Sequence, residues 1–140
     1  MSAERIADRI AIGEVKARYC RLLDTKQWEQ WAALFTDDLV LDTSQAGGPA
    51  PIEGRGAAVA SVRQFLETAR TAHQIHAPEI RFDGADRAEA IFAMQDRVIF
   101  EGGPSLTGYG HYTETYVRSE DGWKIARTRL TRLVLDIGAS

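Results

Sequence analysis

The chain has 140 residues, of which 44% are hydrophobic and 26% charged, and its formal net charge is −3. These values are typical of a soluble globular protein that buries one sizeable core, and we expect a single domain over residues 1–140. With 20 acidic against 17 basic side chains the sequence offers no basic patch, which argues against nucleic acid as a partner.

Cysteine usage and hydropathy further limit which kinds of protein this chain can be. The single cysteine, Cys20, excludes an internal disulfide and a cysteine-based metal site, and its place on the apolar side of a predicted helix indicates a packed core thiol. No apolar run is long enough to span a bilayer, and charged residues interrupt the first twelve positions, so we expect no signal peptide and no membrane partner. A cytoplasmic location is the resulting expectation.

The chain begins with a predicted amphipathic helix. Ser2 is a suitable N-cap, and the helix is predicted to end near Leu23. Apolar positions near the helical period predict its buried face, and its charged positions are assigned to solvent. The apolar set is Ile6, Ile10, Ala17, Cys20 and Leu23, and the charged set is Glu14, Lys16, Arg18 and Arg21.

Two more helices and one strand are predicted before the chain changes its period. A short helix over 27–35 contains two tryptophans and is followed by a short strand over 39–43. Residues 44–56 are rich in Gly, Pro, Ala and Ser and predict a loop, which either forms the rim of a pocket or is ordinary surface loop. A third helix is predicted over 57–72.

The second half of the chain predicts four strands joined by short turns. The predicted strands are 74–82, 87–101, 108–118 and 123–137. Long strands with tight connections indicate an antiparallel meander. Early helices and late strands predict an α+β domain in which a curved antiparallel sheet is covered by three helices. The space between such a sheet and its helices is a natural site for a small molecule.

Asp24 occupies the point where the apolar pattern of the first helix ends. One interpretation is that Asp24 caps the following short helix, because Asp accepts backbone N–H bonds well at such positions. The other is that its carboxylate points into a pocket and orients a catalytic histidine. The residues around it do not separate the two interpretations.

His73 stands at the predicted junction of the third helix and the next strand. A lone histidine there is either structural or, with a carboxylate beside it, a general base. His73 and His76 lie three residues apart, which places them on opposite faces of a strand and argues against a metal site. Because no nucleophile motif accompanies it, an Asp–His pair would suit proton abstraction followed by elimination, isomerisation or ring closure rather than acyl transfer.

The residues together resemble a known family. The segments that carry the resemblance are Tyr19 with Leu23-Asp24 and Trp28, then Leu34-Phe35-Thr36-Asp37-Asp38, Thr71-Ala72-His73 and Asp121-Gly122-Trp123-Lys124-Ile125. They resemble the SnoaL-like branch of the nuclear transport factor 2-like, or cystatin-like, superfamily. Within it the chain is most similar to the scytalone dehydratase, bile-acid dehydratase and hexachlorocyclohexane dehydrochlorinase type.

The resemblance implies a cone-shaped α+β barrel with a catalytic dyad inside. By position, Asp24 matches the dyad aspartate and His73 the dyad histidine. Tyr19 matches a pocket position that precedes the aspartate, and Thr43 matches a position that carries a substrate-binding tyrosine in scytalone dehydratase. Tyr112 matches another pocket-facing position.

The last strand departs from the family pattern. The pocket arginine of the dehydrochlorinase falls at Thr128, whereas Arg132, on the same face of the strand, could reach the site instead. Arg127 and Arg129 would then face away, although a slip of one residue would exchange these assignments. On the neighbouring strand, Gly108 and Gly110 would widen the cavity, and His111 would face away from it.

The sequence therefore predicts a lyase of dehydratase type or an isomerase that uses an Asp–His general base without metal or organic cofactor. The expected partner is a small hydrophobic or polycyclic molecule. A homodimer or homotrimer is expected, because the outer face of the sheet needs a cover. The alternative is a non-catalytic binding protein, or a protein similar to the small subunit of a dioxygenase, because one fold supports many functions.

Overall fold

The computed structural model describes residues 2–139, with the backbone alone for Ala139, so the first and last residues of the expected domain 1–140 lie outside it. The helices are α1 (Ala3–Asp24), α2 (Trp28–Ala32) and α3 (Arg55–Leu66). The strands are β1 (Phe35–Asp42), β2 (Ile52–Glu53), β3 (Arg70–Ile75), β4 (Glu79–Phe82), β5 (Arg87–Ile99), β6 (Pro104–Ser119) and β7 (Gly122–Ala139).

The strands form one curved, unclosed sheet in the order β2-β1-β7-β6-β5-β3, and β4 continues the β3 edge along the other half of β5. The predicted α+β class, a curved sheet with three helices, is confirmed. The β5–β6–β7 meander is antiparallel as predicted, but β1 pairs with β7 in parallel. A parallel pair arises because the chain crosses from β1 to β7 through all the intervening elements.

Helix α1 begins as predicted, but its buried and exposed faces differ from the predicted ones. The Ser2 hydroxyl accepts the Arg5 N–H at 3.2 Å, as expected of an N-cap. Ile6 and Ile10, however, are 50% and 60% exposed, whereas Lys16 is fully buried. The assignment of Lys16 to solvent is therefore wrong. The helix packs against α2, β3 and β7, and its last three turns carry most of its buried residues.

The boundary between the third helix and the next strand is also corrected. The helix α3 ends at Leu66, six residues before the predicted end, and the segment from Arg70 to Ile75 forms β3. The backbone hydrogen bonds of β3 with β5 outweigh the apolar helical spacing there. The strand predicted over 74–82 is divided because Pro78 cannot donate to a sheet.

A large aromatic core joins α1, α2 and β1. Tyr19 and Phe35 each contact the ring of Trp31, with ring centroids 5.4 and 4.9 Å apart respectively. Cys20 lies within this core, and burial raises the pKa of its thiol to about 11, so the predicted packed thiol is confirmed. Among the helices of the described part, none is long and apolar enough to cross a membrane.

Candidate active site

Asp24 binds β3 rather than the helix that follows it. Its Oδ1 accepts the Thr71 hydroxyl at 2.8 Å, and its Oδ2 accepts the backbone N–H of His73 at 2.8 Å. The N-cap of α2 is Gln27, without a side-chain hydrogen bond, so the capping interpretation of Asp24 is wrong. The strand β3 lies at the edge of the sheet, which leaves the His73 N–H available to the carboxylate.

The end of α1 fixes the direction of the Asp24 side chain. Lys26 adopts a left-handed conformation with φ of 59°, and its N–H donates to the Leu23 carbonyl at 3.1 Å. This arrangement terminates the helix directly after Asp24. The Lys26 ammonium then donates to the Thr71 hydroxyl at 3.0 Å, so a lysine supports the carboxylate through the threonine.

His73 lies beside this carboxylate on the inner face of the sheet. Its Nδ1 is 2.6 Å from Asp24 Oδ1, which is within the range expected for a hydrogen-bonded pair. A carboxylate accepts hydrogen bonds, so Nδ1 carries the hydrogen and Nε2 of the neutral ring keeps its lone pair. The imidazole is 7% exposed and the Asp24 side chain 21%. Geometry thus provides an oriented imidazole that can accept a proton at Nε2.

A second carboxylate lies on the other side of the same imidazole. Asp96 is directly opposite His73 in the β3–β5 pairing, and its Oδ2 is 3.9 Å from His73 Nε2. Arg132 donates two hydrogen bonds to Asp96, of 2.8 and 2.9 Å. These bonds raise the pKa of the guanidinium. The structure therefore places Arg132 beside the Asp96 carboxylate that faces His73, on the same face of β7 as Thr128.

The two glycines of β6 make room for side chains or strands rather than for a cavity. A Cβ added to Gly108 would overlap Arg132 Nη1 and lie 2.6 Å from Asp96 Oδ1. One added to Gly110 would strike the β7 backbone. The expectation that they widen the cavity is therefore wrong. The space beside Gly108 is filled by the Arg132 and Asp96 side chains, and the space beside Gly110 is filled by the β7 backbone. His111 lies on the opposite face, paired with Thr131.

The predicted pocket tyrosines lie next to a buried ion pair. Tyr19 and Tyr112 contact each other edge to face, with ring centroids 5.7 Å apart. The Lys16 ammonium lies between them, 3.4 Å from the Tyr19 centroid and 3.6 Å from the Tyr112 centroid. Burial raises the pKa of both phenols well above the usual value, so both hydroxyls keep their hydrogens.

Glu114 completes this interior network. Its Oε2 accepts from the Lys16 ammonium at 2.7 Å and from the Thr128 hydroxyl at 2.6 Å, and its Oε1 accepts from Tyr116 at 2.7 Å. Burial lowers the pKa of Lys16, and the charge of Glu114 opposes that shift. The structure thus buries Thr128, whose hydroxyl donates its hydrogen to Glu114.

Thr43 lies apart from this cluster, in the loop after β1. Its carbonyl accepts the N–H groups of Ala46 and Gly48, both at 2.9 Å. Two surface depressions, of about 430 and 450 Å³, are lined around Asp8 with Arg118 and around Phe100 with Gly102. Neither is lined by Asp24 or His73, and an apolar cavity beside these two residues stays a prediction.

Sequence reasoning missed Asp96, Lys16 and Glu114. Asp96 shares its strand face with Ala90, Phe92 and Met94, all buried, and an acid in phase with such a row is a signal of a functional or paired group. Glu114 is in phase with Tyr112 in the same way. Lys16 offers no comparable signal, because its partner is 98 residues away along the chain. In the described residues, no cluster of three metal-ligating side chains occurs.

Comparisons with known proteins agree with this architecture. Residues 4–129 match the model of the SnoaL-like domain. A protein of Gibberella zeae named "Probable cyclase FGR4" is 26% identical over 129 residues, which cover 84% of this chain and 86% of that protein.

Two crystal structures share the fold at low sequence identity. One, from Novosphingobium aromaticivorans, carries the name "Putative Scytalone Dehydratase"; it has a TM-score of 0.88 at 22% identity and covers 97% of this chain and 91% of its own. The other is a hexachlorocyclohexane dehydrochlorinase (LinA) type 2, with a TM-score of 0.85 at 21% identity over 98% of this chain and 93% of its own. The matched domain, which spans most of the chain, shows that this chain belongs to the SnoaL-like family.

Proposed function

We propose that this protein is a small-molecule lyase of dehydratase type, or an isomerase, that works without metal or organic cofactor. The observation that carries the proposal is the 2.6 Å contact between Asp24 and the Nδ1 of His73. An imidazole held in one tautomer by a carboxylate is a general base at its other nitrogen. Relatives named as dehydratase, dehydrochlorinase and cyclase support chemistry of this type.

Each site residue takes a role that follows from its contacts. His73 removes a proton from a carbon or hydroxyl of the substrate, and Asp24 stabilises the imidazolium that forms. Tyr19 and Tyr112 are protonated phenols joined by a hydrogen bond, and the pair donates its remaining hydrogen to an oxygen on which charge develops. Thr128 contributes to the site by holding Glu114 in place, because its hydroxyl donates to that carboxylate.

The remaining proposed contacts lie at the edges of the site. Arg132 binds substrate together with Asp96, and Thr43 contacts it from the loop after β1. The substrate is a small hydrophobic or polycyclic molecule, in keeping with the apolar and aromatic residues of the interior.

Solvent deuterium exposes this chemistry before the natural substrate is known. The protein is incubated in D₂O with a panel of cyclic alcohols and hydroxyketones, and the products are analysed by mass spectrometry. Loss of one water indicates dehydration, and gain of deuterium at carbon indicates proton abstraction with isomerisation. Neither change on a panel member that binds would favour the second candidate, a non-catalytic binding protein of this fold.

The hydroxyl of Tyr19 is expected to have a modest effect on rate. Tyr19→Phe loses one hydrogen bond, worth about 1 kcal/mol, while the ring keeps its contacts with Trp31 and Tyr112. We expect kcat/KM to fall roughly three- to tenfold with unchanged thermal stability. Tyr109→Phe, on the exposed outer face, is the matched control and should match the wild type. An unchanged kcat/KM in Tyr19→Phe would remove Tyr19 from the site.

Self-association through the outer face of the sheet is also proposed. Tyr109 and Val134 lie opposite each other there and are 43% and 47% exposed. Sedimentation velocity at about micromolar concentration should show a homodimer or homotrimer, and Val134→Lys should shift it toward monomer. Ile6→Lys, an equally exposed apolar site on α1, is the control. A monodisperse wild-type monomer would contradict the proposal, whereas dependence on a different subunit would favour the dioxygenase-subunit alternative.

A further inference from the structure

The cations near His73 all have anionic or polar partners. Arg132 binds Asp96 through two hydrogen bonds, and Lys16 binds Glu114 at 2.7 Å. Lys26 approaches from the far side of Asp24, through the Thr71 hydroxyl. A carboxylate or phosphate on a ligand needs an uncompensated cation, because desolvating an anion without one is costly. These three cations do not offer that charge.

The Arg132–Asp96 pair is fixed by the fold. Asp96 is 5% exposed and the Arg132 side chain 13%, so water screens the pair little. Gly108 leaves the space that the two side chains occupy, and any Cβ at that position would collide with Arg132. Arg132 would have to give up two buried hydrogen bonds to Asp96 in order to bind a ligand anion, and that exchange is costly.

What the site retains is single hydrogen-bond donors. The Nε of Arg132 is buried, and no partner for it occurs among the described residues. The hydroxyls of Tyr19 and Tyr112 are both protonated and share a hydrogen bond, so together they keep one hydrogen for a ligand; the charge of Asp96 helps to raise the pKa of both. Single donors satisfy a carbonyl or hydroxyl oxygen, and a site with such donors discriminates against ligands that lack the matching oxygen.

Two carboxylates add a repulsive element. Asp24 and Asp96 flank the imidazole of His73 at 2.6 and 3.9 Å. An anionic group placed at Nε2 would face Asp96 directly, and juxtaposed like charges cost several kcal/mol.

We propose that the site selects substrates whose reacting end is an uncharged ketone, aldehyde or alcohol, and that Asp96 sets this selectivity by neutralising Arg132. The inference rests on the proposed function, because it concerns the ligand of the same site. It goes beyond that function by excluding free carboxylates and phosphate esters at the reacting end and by giving Asp96 the role of a specificity-determining residue.

A matched pair of probes tests the selectivity by binding alone. 2-Acetylnaphthalene and 2-naphthoate have nearly the same shape and differ in the charge of one group. Their dissociation constants are measured at neutral pH by ligand-observed NMR. In the wild type the ketone should bind at least about tenfold more tightly than the carboxylate, which is a conservative reading of the like-charge cost.

Two variants assign the selectivity to the Asp96–Arg132 pair. Asp96→Asn keeps the shape and frees the charge of Arg132, so the preference for the ketone should fall at least tenfold or reverse. Arg132→Gln leaves Asp96 without its partner and should keep the preference for the ketone. Asp83→Asn, which makes the same change of charge at the exposed turn after β4, should match the wild type.

The outcomes separate this proposal from the proposed function. Equal or tighter binding of the carboxylate by the wild type, binding of neither probe, or an unchanged preference in Asp96→Asn would each overturn the selectivity proposal. Turnover plays no part in this measurement. A ketone preference in a protein without proton-transfer activity would therefore keep the selectivity and reject the lyase.

Discussion

Lys16→Met is expected to lower the free energy of unfolding by about 3–5 kcal/mol, because it leaves the fully buried Glu114 without its cation. The lost ammonium also lies over the rings of Tyr19 and Tyr112, whose packing depends on it. Urea unfolding followed by tryptophan fluorescence measures the effect.

A double variant and a surface control separate the buried pair from charge loss in general. Lys16→Met with Glu114→Gln removes both charges and keeps one acceptor oxygen, which serves either Tyr116 or Thr128, so it should recover part of the loss. Arg18→Met removes an exposed cation of the same helix, paired with Glu14 at 3.9 Å, and should cost less than about 0.5 kcal/mol. A loss in Lys16→Met no greater than in Arg18→Met would contradict the buried ion pair.

Asp24→Asn is expected to lower kcat by about 10²–10⁴-fold with a change in KM of a few-fold at most. The asparagine oxygen can accept either the backbone N–H or the ring N–H of His73, where the carboxylate accepts both. If the amide nitrogen faces Nδ1, the ring must carry its hydrogen on Nε2, where the base is needed. In either orientation the charge that stabilises the imidazolium is lost.

The steady-state constants check this second prediction. Asp121→Asn, which removes an exposed carboxylate from the β6–β7 turn, is the control. A large rise in KM with unchanged kcat in Asp24→Asn would show that Asp24 contributes to binding rather than to the chemical step.

Sequence patterns predicted the meander well because its signals are local. Tight turns at Asp83-Gly84 and Asp121-Gly122 separate the strands, and the alternation along β7 puts Thr128 and Arg132 on one face. The N-cap at Ser2 is equally local. Such features depend on neighbours within a few residues, which a single sequence displays.

The errors occurred where distant contacts decide. The apolar spacing of α3 continues past Leu66, but pairing with β5 converts the next residues into β3 and brings His73 opposite Asp96. From the sequence alone Lys16 looks like a solvent-facing residue, because its partner Glu114 lies far away along the chain, on β6. The family resemblance predicted that Asp24 and His73 lie next to each other. The positions of Asp96 and Arg132, however, follow from the β3–β5 and β6–β7 registers, which a single sequence does not display.

Turnover by His73→Ala tests whether His73 is the general base, and His76→Ala is the control because His76 is the exposed histidine that follows β3. Both variants are assayed on a substrate confirmed with the wild type, after thermal unfolding has shown that they are folded. We expect His73→Ala to lose about 10²–10⁴-fold in kcat, because it removes the general base, and His76→Ala to keep the wild-type rate. A folded His73→Ala that retains most of the wild-type rate would contradict the account and make His73 a structural residue.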